Sequence, residues 1–92
     1  MKVIWKFPLA VETFQKIDMP SGSEVLTAQT QNGDRAFIWA LVNPGNEKEK
    51  RGFWILPTGG DIEKEHADLL GRYVGTFQVP PYVWHVFEHK YP

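Results

Sequence analysis

The 92 residues contain no cysteine, so neither a disulfide nor thiolate chemistry is open to the chain. A zinc site would have to be built from histidine and carboxylates alone. Surplus charge is also missing: ten Lys and Arg against eleven Asp and Glu leave a formal charge of −1. A general nucleic-acid binder carries a basic excess to neutralise phosphates, so that class is set aside. No apolar run approaches the ~18 residues of a membrane-spanning helix. The opening Met-Lys-Val-Ile-Trp-Lys returns to charge at Lys6, which is too short an apolar run for a signal-peptide core. These absences lead to the expectation of a cytoplasmic protein with no membrane partner. Familiar catalytic motifs are absent as well, and neither the His-Glu-x-x-His helix nor the P-loop spacing occurs. The expectation is a chain with no catalytic residue, no cofactor and no metal.

Aromatic residues are plentiful: four Trp, three Tyr and six Phe. Such rings give a small domain much buried area per residue, and where exposed they stack on flat ligands. The length indicates one domain, residues 1–92, with a modest core that association would help to cover.

The stretch from Glu24 to Val42 organises the chain. Two β-prone runs are joined by Asn32-Gly33, the strongest short-range hairpin signal, because a type I′ turn needs positive φ at both central residues. A two-residue turn pairs Gln31 with Asp34, Thr30 with Arg35, Ala28 with Phe37 and Leu26 with Trp39. Strand side chains alternate between faces. That register puts Leu26, Ala28, Phe37, Trp39 and Leu41 on a core face. Val25, Thr27, Gln29, Gln31, Ala36, Ile38 and Ala40 then share a mixed face suited to a ligand or an interface. A bulged turn would slip one strand by one residue and invert the arrangement.

Elsewhere the pattern gives strands at Val3–Phe7, Thr13–Met19, Gly52–Leu56, Arg72–Val79 and Tyr82–Glu88. The charges of Glu47–Arg51 read as a solvated loop. Ile62–Leu70 reads as a short helix or turn, with Asp61 as N-cap and Gly71 past its end. The tail from His89 to Pro92 reads as mobile. The fold expected is all-β: a small barrel or sandwich of about seven mainly antiparallel strands with at most one short helix.

Candidate chemistry is sparse. Thr58-Gly59-Gly60 precedes the possible helix, where exposed backbone N–H groups can cradle an anion. Arg72 is one of three guanidinium groups able to pair with phosphate or carboxylate. Gln29, Gln31 and Gln78 stand on strands, and amides suit a base edge. His85 lies mid-strand beside Trp84. A general base there needs a partner that the sequence does not place. His66 with Asp61 and Glu63 or Glu65 matches no metal-binding motif.

Several motifs together resemble a family of small proteins from tailed phages known as a domain of unknown function. They are Ile4-Trp5-Lys6-Phe7-Pro8, Met19-Pro20-x-Gly22, Val25-Leu26-x-x-Gln29-x-Gln31-x-Gly33 and Trp39-Ala40-Leu41-Val42. Thr58-Gly59, Gly71-x-Tyr73-x-Gly75-Thr76-Phe77-Gln78 and Trp84-His85-Val86-Phe87-Glu88 complete the set. Gly60 departs from the pattern, standing where many relatives have His, and the Glu63–Leu70 segment is longer than in relatives. The resemblance implies a phage accessory role in the host cytoplasm.

By analogy with viral sponges, the expectation is a non-catalytic protein that sequesters a nucleotide-derived signal of bacterial immunity. Its site would bring Thr58, Gly59 and Gly60 to the Gln29/Gln31 face, with Arg72, His85 and Trp54 or Trp84. A homo-oligomer, dimer or tetramer, is expected with it. The alternatives are an interaction or virion-associated protein that binds a protein partner and, less favoured, a hydrolase using His85.

Overall fold

Asn32 and Gly33 both take positive φ, 56° and 90°, and the hairpin they close is the centre of the first of two sheets. In the computed structural model, which describes residues 1–90, seven strands and one short helix follow in order. They are β1 (Val3–Leu9), β2 (Phe14–Pro20), β3 (Glu24–Gln31), β4 (Arg35–Val42), β5 (Lys48–Pro57), α1 (Lys64–Ala67), β6 (Leu70–Val79) and β7 (Tyr82–His89). Strands β1-β4-β3 form the front sheet and β2-β5-β7-β6 the back sheet. Every ladder is antiparallel. The two sheets make a sandwich rather than a closed barrel.

Alternation explains the core. Ala36, Ile38, Ala40 and Val42 of β4 are buried, as are Phe53 and Ile55 of β5 and Val86 of β7. Leu9, Met19, Val25, Ala28, Val74 and Phe77 complete the layer between the sheets. Each large apolar side chain placed there contributes about 1.5–3 kcal/mol. Strand β5 has ladder partners on both sides, which fits its unbroken apolar run Phe53-Trp54-Ile55-Leu56, buried throughout.

The hairpin register differs from the one read from sequence. Gln31 pairs with Arg35 and Ala28 with Ile38, so the turn takes in Asp34 as a third residue. That slip by one inverts the faces of β4: Ile38 points into the core, while Phe37, Trp39 and Leu41 point outward. A bulge between Val25 and Thr27 restores the original register beyond it, pairing Val25 with Ala40 and leaving Leu26 exposed. Phe37 is nevertheless covered, because the Lys6 ammonium lies over its ring at 4.6 Å and the Arg35 guanidinium at 5.8 Å.

Three further expectations are corrected. Lys48–Arg51 is not a loop but the first part of β5, exposed at Lys48, Glu49 and Lys50, with Lys50 opposite Asp18 and ion-paired to it at 3.0 Å. Cross-strand pairing accounts for this; sequence charge alone does not show it. The helix is a single turn whose N-cap is Glu63, with no side-chain cap bond, and Gly71 belongs to β6. Of the expected mobile tail, His89 ends β7 and the Lys90 N–H donates to the Leu69 carbonyl at 2.8 Å; Tyr91 and Pro92 lie outside the described residues.

Candidate functional site

Two adjoining strand ends hold the most developed polar arrangement. β5 ends at Pro57, and the Thr58 N–H donates to the Val83 carbonyl of the neighbouring strand at 3.0 Å. Gly59 then takes φ 82°, and the Gly60 N–H closes the turn on the Pro57 carbonyl at 3.3 Å. This path puts the Thr58 hydroxyl 2.5 Å from His85 Nε2. On the other side of the ring, His85 Nδ1 lies 3.0 Å from Thr76 Oγ1, and that hydroxyl meets the Tyr73 phenol. A neutral imidazole protonated at Nδ1 satisfies the row: Thr58 donates to Nε2, Nδ1–H donates to Thr76, and the Tyr73 hydroxyl donates to Thr76. The row lies on the outer face of the back sheet, since Val86 next to His85 points into the core.

The free edges of β3 and β6 approach each other without forming a ladder. They come close at Gly75, where a Cβ would stand 2.8 Å from the Ala28 carbonyl oxygen. Beyond this pinch the strands splay into a groove of about 410 Å³, whose rim includes Thr27, Gln29 and Thr30 of β3 and Thr76 and Gln78 of β6. Every residue lining it is uncharged. Thr76 belongs both to the groove and to the His85 row, so the two form one surface of hydroxyls, amides and an imidazole. The Tyr73 ring, 51% exposed, stands beside it.

The structure therefore brings together Thr58, Gly59 and His85, and reaches Gln29 through Thr76. The other expected site residues lie elsewhere. The Arg72 guanidinium donates to Glu88 Oε2 at 3.0 Å and to the Val25 carbonyl. Arg51 meets the other Glu88 oxygen at 2.7 Å and the Ser23 carbonyl at 2.9 Å. This Arg–Glu–Arg clamp ties the start of β3 to the back sheet. Gln31 accepts from Lys6 at 2.6 Å on the outer face of the front sheet. Trp54 is buried between Phe14, at 4.7 Å between ring centroids, and His66, at 4.8 Å, and its Nε1–H donates to His89 Nδ1 at 3.1 Å. Both His66 and His89 are half-buried. Trp84 packs on the inter-sheet core, and the Gly60 N–H is used by its own turn.

The sequence names Thr76 and Tyr73 only within the motif that carries the family resemblance, and not as site residues. Thr76 was within reach of simple counting: the Pro80-Pro81 turn pairs Val79 with Tyr82, and stepping back along both strands sets Thr76 opposite His85. Tyr73 was not, because a bulge between Tyr73 and Gly75 shifts the count. Among the described residues, no three His, Asp or Glu are grouped to hold a metal.

The fold and this surface define a two-sheet antiparallel β-sandwich with a neutral hydrogen-bonding groove across its β3/β6 seam. The chain belongs to the family described as a domain of unknown function (DUF7352), which it matches over residues 1–92. No curated protein and no solved structure matches it.

Proposed function

We propose that the chain is a non-catalytic phage accessory protein that captures a nucleotide-derived signal of bacterial immunity. The observation that carries this reading is the continuity of the Thr58–His85–Thr76 row with the Gln29/Gln78 groove. Amides and hydroxyls donate and accept at once, as the edge of a base and the hydroxyls of a ribose require. The half-exposed Tyr73 ring offers a stacking face, and stacking of that kind contributes about 1–3 kcal/mol per base. Both His85 ring nitrogens are engaged by hydroxyls, which suits a ring fixed to present an edge. With Arg72 committed to Glu88 and Val25, recognition falls on the base and sugar, and the phosphates remain in solvent. Calorimetry with cyclic dinucleotides and ADP-ribose-type compounds tests it: wild-type protein releases heat, and Gln29→Ala and Thr76→Val weaken binding. Absence of heat with every such compound removes the reading.

A second reading rests on a different observation. The outer face of the front sheet presents Ile4, 61% exposed, and Leu26, 39% exposed, alongside Trp39 and Leu41. A second copy of this chain covers such a face in the expected homo-oligomer. Three strands about 4.8 Å apart and some seven residues long at about 3.4 Å each give roughly 350 Å² per protomer. Stable interfaces bury about 800 Å² per partner, so this face alone supports a weak, concentration-dependent dimer. Sedimentation across a hundredfold concentration range measures it, and a monomer throughout ends that reading.

A further inference from the structure

Two sheet edges stay unpaired on the side opposite the β3/β6 seam: β1 pairs only with β4, and β2 only with β5. An open edge presents a row of backbone N–H and C=O groups ready for another strand. The phase of the β2/β5 ladder says which groups those are. At one end the Ile55 N–H donates to the Thr13 carbonyl at 2.9 Å, and at the other the Ser21 N–H donates to the Glu47 carbonyl at 2.7 Å. Both fall on the register that pairs Gln15 with Phe53, Ile17 with Arg51 and Met19 with Glu49. The odd-numbered residues of β2 therefore bond to β5, and the backbone groups of Phe14, Lys16 and Asp18 point to the open side. Beyond them the edge stops, because Pro20 has no N–H and its carbonyl is taken by Ser23.

The side chains of the same strand carry the complementarity. Lys16 and Asp18 are exposed on the outer face of the back sheet, while Ile17 between them packs against the core. Asp18 has Lys50 beside it on β5. Lys16 has Gly52 beside it, so no β5 side chain faces it, and it enters no salt bridge among the described residues. A strand that reads Lys-x-Asp is its own complement when run antiparallel. With a two-fold axis at Ile17, Lys16 of each copy faces Asp18 of the other. Both residues have backbone groups on the open side, so each such pair exchanges both of its N–H to C=O bonds. Moving the axis by one residue either way puts Lys16 opposite Lys16 or Asp18 opposite Asp18, and like charges directly opposite are destabilising. The β1 edge offers no such match, since Lys6 is its only charged residue.

We infer that two copies of this chain associate edge to edge through β2, joining their four-stranded back sheets into one continuous sheet. The interface is isologous, as closed two-fold symmetry requires. Asp18 then lies between Lys50 of its own chain and Lys16 of the other copy. The two Ile17 side chains meet at the axis on the inner face, in a non-hydrogen-bonded pair, where side chains approach most closely. This association uses neither the outer face of the front sheet nor the His85 surface, and it does not depend on the function proposed for either.

Sedimentation of the full chain across a wide concentration range, with amide hydrogen exchange measured by NMR at both ends of it, tests the inference. Wild type dimerises, and as it does so the Lys16 and Asp18 N–H groups gain protection from exchange. Lys16→Glu and Asp18→Lys each weaken association about tenfold, because two charge pairs turn repulsive at once, while circular dichroism stays unchanged. Mixed in equal amounts, the two variants associate with each other: the doubly acidic edge of one meets the doubly basic edge of the other. A wild-type monomer at every concentration, Lys16 and Asp18 amides that exchange equally fast in monomer and dimer, or a mixture that stays monomeric would each overturn it. So would a dimer that both single variants leave intact, and that result assigns the association to the front sheet instead.

Discussion

Gly75→Ala tests the seam on which the candidate site is built. An added Cβ would lie 2.8 Å from the Ala28 carbonyl oxygen and 3.1 Å from the Ala28 nitrogen. Both are backbone atoms, and ordinary contact begins near 3.4 Å, so β3 must retreat by roughly half an ångström. Forcing a methyl group into a packed site costs about 1–3 kcal/mol. Replacing a strand glycine by alanine returns about 0.5–1 kcal/mol of backbone entropy. The net loss is therefore up to about 2.5 kcal/mol and centred near about 1 kcal/mol, and about 1 kcal/mol lowers the midpoint of a domain this size by about 4–8 °C. Gly45→Ala is the control, since its nearest neighbour, Asn43 Oδ1, would be 3.5 Å away; it should leave the midpoint unchanged or slightly raised. Thermal unfolding followed by circular dichroism compares the two. If Gly75→Ala matches wild type or exceeds it, β3 and β6 do not meet as described, and the groove loses its floor.

Three further outcomes follow from the packing and the polar contacts. Ile38→Ala should cost about 2–5 kcal/mol and Leu26→Ala well under 1 kcal/mol, because Ile38 is 0% and Leu26 39% exposed; denaturant melts giving the reverse order would restore the register read from the sequence. Glu88→Gln leaves Arg51 and Arg72 facing each other without their shared carboxylate, and should cost about 1–3 kcal/mol. Part of that loss should be recovered in 1 M salt, where the Debye length is about 3 Å, and a salt-independent loss would refute the charge argument. His85→Ala frees both threonine hydroxyls and should weaken nucleotide binding several-fold by calorimetry, while Trp84→Ala should unfold the domain more readily without a specific effect on binding.

The fold was largely legible because the signals that specify it are local. Alternation located most of the strands, and Asn32-Gly33 located the hairpin turn. Turn length was not legible: Asn-Gly-Asp accommodates both a two-residue and a three-residue turn, and the choice decides whether Ile38 or Trp39 is core. The charged start of β5 was hidden for a similar reason, since its strand conformation comes from pairing with β2 and not from its own composition. The site was legible only in part. Thr58, His85 and Gln29 were singled out, and they share one surface. Arg72 was drawn to the same place on chemical grounds, but Glu88 lies two residues closer to the chain end than Val86 on the core-facing side of β7, and it holds Arg72 at the opposite end of the seam. Such a pairing joins residues 16 positions apart and depends on bulges in β6 that have no sequence mark here.

The central claim is that the His85 row and the β3/β6 groove form one ligand-binding surface. The most direct measurement is an amide-resolved NMR titration of the wild-type chain with cyclic dinucleotides and ADP-ribose-type compounds. The account predicts a saturable set of shifts confined to Thr27–Thr30, Thr58–Gly60, Tyr73–Gln78 and His85. Shifts confined to the Arg51–Glu88–Arg72 clamp, or none at all up to millimolar ligand, would contradict it.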